Sequence, residues 1–210
     1  MVIIQMNPSE ILERFSALFA DSFISVPESD KGRNRFVLTE TDQQAKLQAI
    51  EIRGVPKNSI LLKTYDYSLP VKVFKSTKGE RKMCDYILLT PYKGDLYLIF
   101  IEMKSQNLDN RDLISQLVGG NCFMTYCAAM AEKFHDARIS LKQKRNIVLH
   151  APLPLNKKPT RLDKRLKKSF RTALQLSDPI VLISCAAKKG RAFTFFERLV
   201  FDMPEEVRDV

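Results

Sequence analysis

The chain has 210 residues, with 34 Lys and Arg against 24 Asp and Glu, a formal net charge of +10 and 45% hydrophobic residues. That length and apolar content suit one domain with a substantial core and exclude wholesale disorder, while a pI near 9.5 points to a polyanion, either nucleic acid or an anionic membrane surface. No apolar run approaches the ~20 residues that span a bilayer, and "MVIIQMNPSEILERF" lacks a basic leader and a small-residue cleavage site, so a cytoplasmic single domain over 1–210, without a membrane partner, is expected.

"NPSEILERFSALFADSF" (7–23) has the spacing of a helix capped by Ser9, and "VPESDKGRNR" (26–35) reads as a polar loop. "TETDQQAKLQAIEIRG" (39–54) predicts a second helix ending at Gly54. Strands are predicted at 59–67, 71–76, 81–89 and 96–105, then a long helix at 110–134 capped by Asp109 or Asn110, and a strand at 145–150. A proline loop then becomes a basic helix within 152–176, and "PIVLISC" and "AFTFFERLVF" complete the sheet. This alternation predicts an α/β protein with a central mixed β-sheet flanked by helices, its core at about 39–150 and extra elements at 152–201. The cysteines at 84, 122, 127 and 185 form no C-x-x-C, and His135 and His150 stand apart, which argues against zinc and for reduced packing thiols.

The two best strands flank Lys93-Gly94, a two-residue hairpin turn, which sets Asp85 directly across from Glu102 on one face. Lys104 shares that face, which is otherwise apolar through Ile87, Leu89, Leu98 and Phe100. Facing carboxylates repel unless a cation or proton lies between them. Few, hard oxygen ligands suit magnesium, with manganese as a substitute. A neighbouring lysine can orient or deprotonate a water or stabilise a pentavalent phosphate. Together these groups equip a site for metal-assisted phosphodiester hydrolysis.

Asp85 followed by Glu102-Met103-Lys104 on the next strand resembles the PD-(D/E)XK nuclease superfamily, with its restriction-endonuclease-like αβββαβ core. The predicted elements from about 39 to 150 follow that order, although Cys84 stands where the motif has proline. The resemblance implies that Asp85, Glu102 and the Met103 carbonyl hold the metal and that Lys104 helps activate water. It also implies that Gln116, on the following helix, can reach the site; a plain surface amide is the alternative. A fourth acid often comes from the first core helix. Glu51 ranks first there, beside Leu47 and Ile50, with Glu40, Glu10 and Glu13 as the other candidates.

Gly119-Gly120 inside the long helix suggests close packing on the sheet, and Tyr126 reads as core. Lys157, Lys158, Arg161, Lys164, Arg165, Lys167, Lys168 and Arg171 form the densest basic run, either a solvated helix face or a set of phosphate contacts. The expectation is a magnesium-dependent nuclease acting on DNA in preference to RNA, with any sequence specificity supplied by a homodimer or partner protein. The alternatives are an inactive nuclease-fold module that binds nucleic acid or protein, and a basic interaction module whose E-x-K is accidental.

Overall fold

A computed structural model describes residues 7–40, 42, 44–64, 74–75, 77–104, 110–139, 143–151, 180–186 and 188–201. In chain order these form α1 (Pro8–Ser16), β1 (Ile24–Ser25), β2 (Glu28–Asp30), β3 (Arg33–Thr39), β4 (Ala49–Arg53), β5 (Ile60–Lys63), β6 (Tyr86–Tyr92), β7 (Asp95–Lys104), α2 (Asn110–Phe134), β8 (Gln143–His150), β9 (Ile180–Ser184), β10 (Arg191–Phe195) and α3 (Phe196–Phe201). The architecture is α/β with two mixed sheets. One has six strands in the order β1-β5-β6-β7-β8-β9; the other has four in the order β10-β4-β3-β2.

The larger sheet is antiparallel from β1 through β7 and parallel from β7 to β9. The switch falls where α2 carries the chain from β7 back to β8, because a parallel neighbour needs a crossover. Residues of β7 alternate between two cores. Leu98 and Phe100 join Leu113, Leu117 and Met124 of α2 and Leu12 and Phe15 of α1 on one face. Ile99, Ile101 and Met103 join Phe36, Leu38, Ile50 and Ile52 of the smaller sheet on the other, with Phe196 and Leu199 of α3. A strand buried on both faces reads as a continuous apolar run, which is what "YLIFI" is. Each fully buried Ile or Leu contributes roughly 1.5–3 kcal/mol relative to exposure.

Several expectations are corrected. The central sheet has α1 and α2 on one face only; its other face is covered by the second sheet and α3. No helix spans 39–54: β4 occupies Ala49–Arg53. Ile50 and Ile52 are buried while Glu51 and Arg53 face outward, so the true period is two, and the Leu47–Ile50 spacing only imitated a helix. The polar stretch 26–35 is mostly a hairpin, β2 and β3, turning at Lys31-Gly32 with φ of 48° and 77°. The first helix stops at Ser16, and its cap is Asn7, whose side chain accepts from Ser9 N at 2.9 Å and Glu10 N at 3.0 Å. Pro8 follows as the first helical residue, where its missing N–H costs nothing. The segment 192–201 is a strand that becomes α3, and its strand joins the smaller sheet beside β4. Tyr126 is exposed, not core.

The strand expected at 71–76 and the basic helix within 152–176 lie mostly or wholly outside the described residues. Among the described residues no helix is long and apolar enough to cross a membrane.

Candidate active site

The β6–β7 hairpin turns at Lys93-Gly94, whose φ values of 51° and 86° suit a tight turn between twisted strands. Its register pairs Tyr86 with Ile101 and Tyr92 with Asp95, so the next position sets Asp85 against Glu102. There side chains take over from the ladder. The Asp85 N–H donates to Glu102 Oε2 at 3.2 Å, and the Met103 N–H donates to Asp85 Oδ2 at 2.8 Å. Each carboxylate is thus fixed by the other strand's backbone. The end of β5 fastens the same place: Thr64 donates its N–H to the Asp85 carbonyl and its hydroxyl to the Cys84 carbonyl.

Lys104 Nζ lies 2.6 Å from Glu102 Oε1 and donates to Gln116 Oε1 at 3.0 Å. Gln116 projects from α2, so this helix closes the site from above. α2 can lie so near the sheet because of its two glycines. A Cβ at Gly119 would collide with the Lys82 carbonyl, and one at Gly120 would sit 2.6 Å from Cys84 Sγ. The first turn of α2 is also tied to the approach to β6 by an ion pair between Lys82 and Asp112.

The electrostatics are unbalanced. The Glu102 side chain is 1% exposed and that of Lys104 is 22% exposed. Burial, then the neighbouring Asp85 charge, pushes the Glu102 carboxyl up to about 8 against the opposing pull of Lys104. Burial also raises Asp85, to about 6, against the Met103 N–H and Lys104, and the Glu40 charge adds to the rise. Two carboxylates share one ammonium in a place poor in water, so the pair holds on to a proton that ordinary carboxyls would have lost.

Asp85, Glu102, Met103, Lys104 and Gln116 therefore come together, and Glu51 does not. Glu51 lies on the smaller sheet, where it takes Arg35 Nη1 at 2.5 Å and Arg53 Nη2 at 2.6 Å. Of the four acids weighed as a further ligand, Glu40 is the one whose charge reaches Asp85. Tyr86 Oη brings it there by donating to the Thr39 carbonyl and accepting the Thr39 N–H, each at 2.8 Å. Glu10 instead closes the capping box of α1, and Glu13 is exposed on that helix. Lys157, Lys158, Arg161, Lys164, Arg165, Lys168 and Arg171 lie outside the described residues.

His150 is a neighbour that sequence spacing did not reveal. It ends β8 in register with Lys104, on the same face, and its Nδ1 is 2.8 Å from the Ala151 carbonyl oxygen. Only the parallel pairing of β8 with β7 brings it there. The cysteines are free thiols; Cys84, Cys127 and Cys185 are buried and Cys122 is exposed. Among the described residues no three His, Cys, Asp or Glu side chains gather to hold a metal ion. No protein-family model, no curated protein and no solved structure matches this chain.

Proposed function

We propose that the chain is a metal-dependent nuclease that hydrolyses phosphodiester bonds, with DNA as the favoured substrate and internal cleavage as the favoured mode. The observation that carries this reading is the pairing of Asp85 with Glu102 beside Lys104, held at 2.8–3.2 Å by backbone donors from opposing strands and at 2.6 Å by the ion pair. With β1–β4 set between α1 and β5, the order α1, β5, β6, β7, α2, β8 is consistent with the resemblance to a PD-(D/E)XK core, with α1 in the role first expected of 39–54.

The donor set fits a magnesium-sized cation. Two hard carboxylates sit side by side, burial raises both and the Asp85 charge adds to the rise of Glu102, and Asp85 remains partly exposed toward solvent. Magnesium uses one or two carboxylates and fills its remaining positions with water and substrate phosphate, so a third protein acid is not required. Asp85 and Glu102 would hold the ion, with the Met103 carbonyl alongside. A bound ion would polarise the scissile phosphate and lower the pKa of a water. Lys104, steered by Gln116, is placed to orient that water or to neutralise charge on the phosphate as it grows. Gln116 accepts from Lys104 and so keeps the ammonium from folding wholly onto Glu102.

A second reading is supported by the direct Glu102–Lys104 ion pair, which engages one of the two carboxylates: the chain binds nucleic acid or a partner without cutting. One experiment separates the two. Purified protein is incubated with supercoiled plasmid, and with labelled duplex and single-stranded DNA and RNA, in magnesium, manganese or chelator. Metal-dependent products that vanish in Asp85→Asn support the nuclease. Intact substrates in every metal condition overturn it.

A further inference from the structure

The outward face of the four-stranded sheet is built unlike a solvated strand surface. Phe193, Phe195 and Val37 are 53%, 40% and 42% exposed. The two rings stand 5.9 Å apart in an edge-to-face pair on β10, and the Arg53 guanidinium lies 4.5 Å over Phe193. The register places Phe193 against Glu51 and Phe195 against Arg53, with Arg35 beyond Arg53 on β3. Arg191 precedes the rings on β10, and Arg33 lies a row past them on β3. Lys31, Arg33, Arg35 and Arg53 also line an open concavity of about 390 Å³ with Asp30 and Glu51. Arg35 is taken up by acids, whereas Arg33, Arg191 and Lys31 make no ion pair among the described residues.

We propose that this face binds a single-stranded nucleic-acid segment, with bases stacked on Phe193 and Phe195 and phosphates drawn to Arg33 and Arg191. Unpaired bases offer flat π-faces to such rings, and sequence-tolerant stacking with flanking cations is how single strands are held. A duplex keeps its bases stacked inward and cannot use the rings in this way. A second copy of the chain is the poorer occupant. Each copy carries a net charge of +10, and three apolar side chains fall far short of the roughly 800 Å² per partner of a stable interface. The inference rests on the nuclease reading only for its purpose, which would be to hold a strand that leaves or enters the cleavage site.

The test is fluorescence anisotropy of a labelled oligothymidylate with the full chain in chelator, so that binding is read without cleavage. Phe193→Ala with Phe195→Ala is expected to weaken binding by at least about tenfold. The corresponding Leu pair is expected to do the same with an unshifted melting curve, which separates loss of the rings from loss of the fold. Arg33→Gln with Arg191→Gln is expected to flatten the dependence of log affinity on log salt by about 1.4, at about 0.7 per phosphate contact. Unchanged affinity in both Phe pairs overturns the proposal. So does sedimentation showing a wild-type dimer that the Phe substitutions dissolve, since the face would then join two copies. Absence of cleavage in magnesium would sink the nuclease reading and leave this binding result standing.

Discussion

Two glutamates sit in strands of this molecule beside basic side chains, and their circumstances are opposite. Glu51 lies between two guanidiniums, at 2.5 Å from Arg35 and 2.6 Å from Arg53. Burial alone would raise its pKa, but hydrogen bonds from Arg53 and Arg35 outweigh that and hold the carboxyl below its ordinary value. Glu102 is more deeply buried, faces a second carboxylate and shares one lysine with it. Its carboxyl is pushed up instead. An acid with its charge balanced is structure. An acid buried against a second acid, with its carboxyl pushed up despite a lysine beside it, is of the kind that concentrates where chemistry is done.

The widest gap between the two should appear in cleavage. Asp85→Asn or Glu102→Gln should lower the single-turnover rate by at least about a hundredfold, because a bound metal contributes several kcal/mol and each 1.36 kcal/mol is tenfold. Glu51→Gln should leave the rate nearly unchanged in the same assay. Equal losses would erase the distinction.

Stability against pH should separate them by sign. Asp85 and Glu102 have folded pKa values of about 6 and about 8, above the ordinary carboxylate values near 4. The folded state then holds more protons than the unfolded one, so the metal-free protein should lose on the order of several kcal/mol as pH rises from about 4 to about 8. Glu51 is shifted downward, so its contribution is present at neutral pH and is lost on acidification through its folded pKa. Urea denaturation across pH should show the alkaline loss shrink in Glu102→Gln and the acid loss shrink in Glu51→Gln. Excess magnesium should restore stability at pH 8 in the wild type alone.

Smaller effects sharpen the account of the lysine. Gln116→Ala removes the acceptor that steers Lys104 and should slow cleavage by about tenfold, the lower end for residues that orient others at a metal site. Metal affinity should be kept, as it should in Lys104→Ala, and calorimetry checks both. The smallest expected change is Glu51→Gln on stability at neutral pH, a loss of about 1 kcal/mol for a partly exposed network, read from the same urea series.

The β6–β7 hairpin was legible because a two-residue turn and a period of two leave one register open, and that register fixed Asp85 opposite Glu102. α2 runs over the expected 110–134, and the close approach inferred from Gly119-Gly120 is what the Lys82 carbonyl and Cys84 require. The smaller sheet was hidden for a physical reason. Its strands bury one face only, and β4 is short, so Leu47 and Ile50 could pose as a helical stripe. That error placed Glu51 on a core helix and made it a ligand candidate. Glu40 and His150 reach the site through pairings between distant strands, the Tyr86–Thr39 contact and the β7–β8 ladder, which local spacing does not encode.

Whether Asp85 and Glu102 together hold a divalent cation is tested most directly by titrating manganese into the protein at pH 7 in two buffers of different ionisation heat. A carboxyl near 8 carries a proton at that pH, so binding is expected at one site with release of about one proton per ion. Glu102→Gln should lose both the binding and the proton. Heats indistinguishable between the wild type and Glu102→Gln, with no proton released, would contradict it.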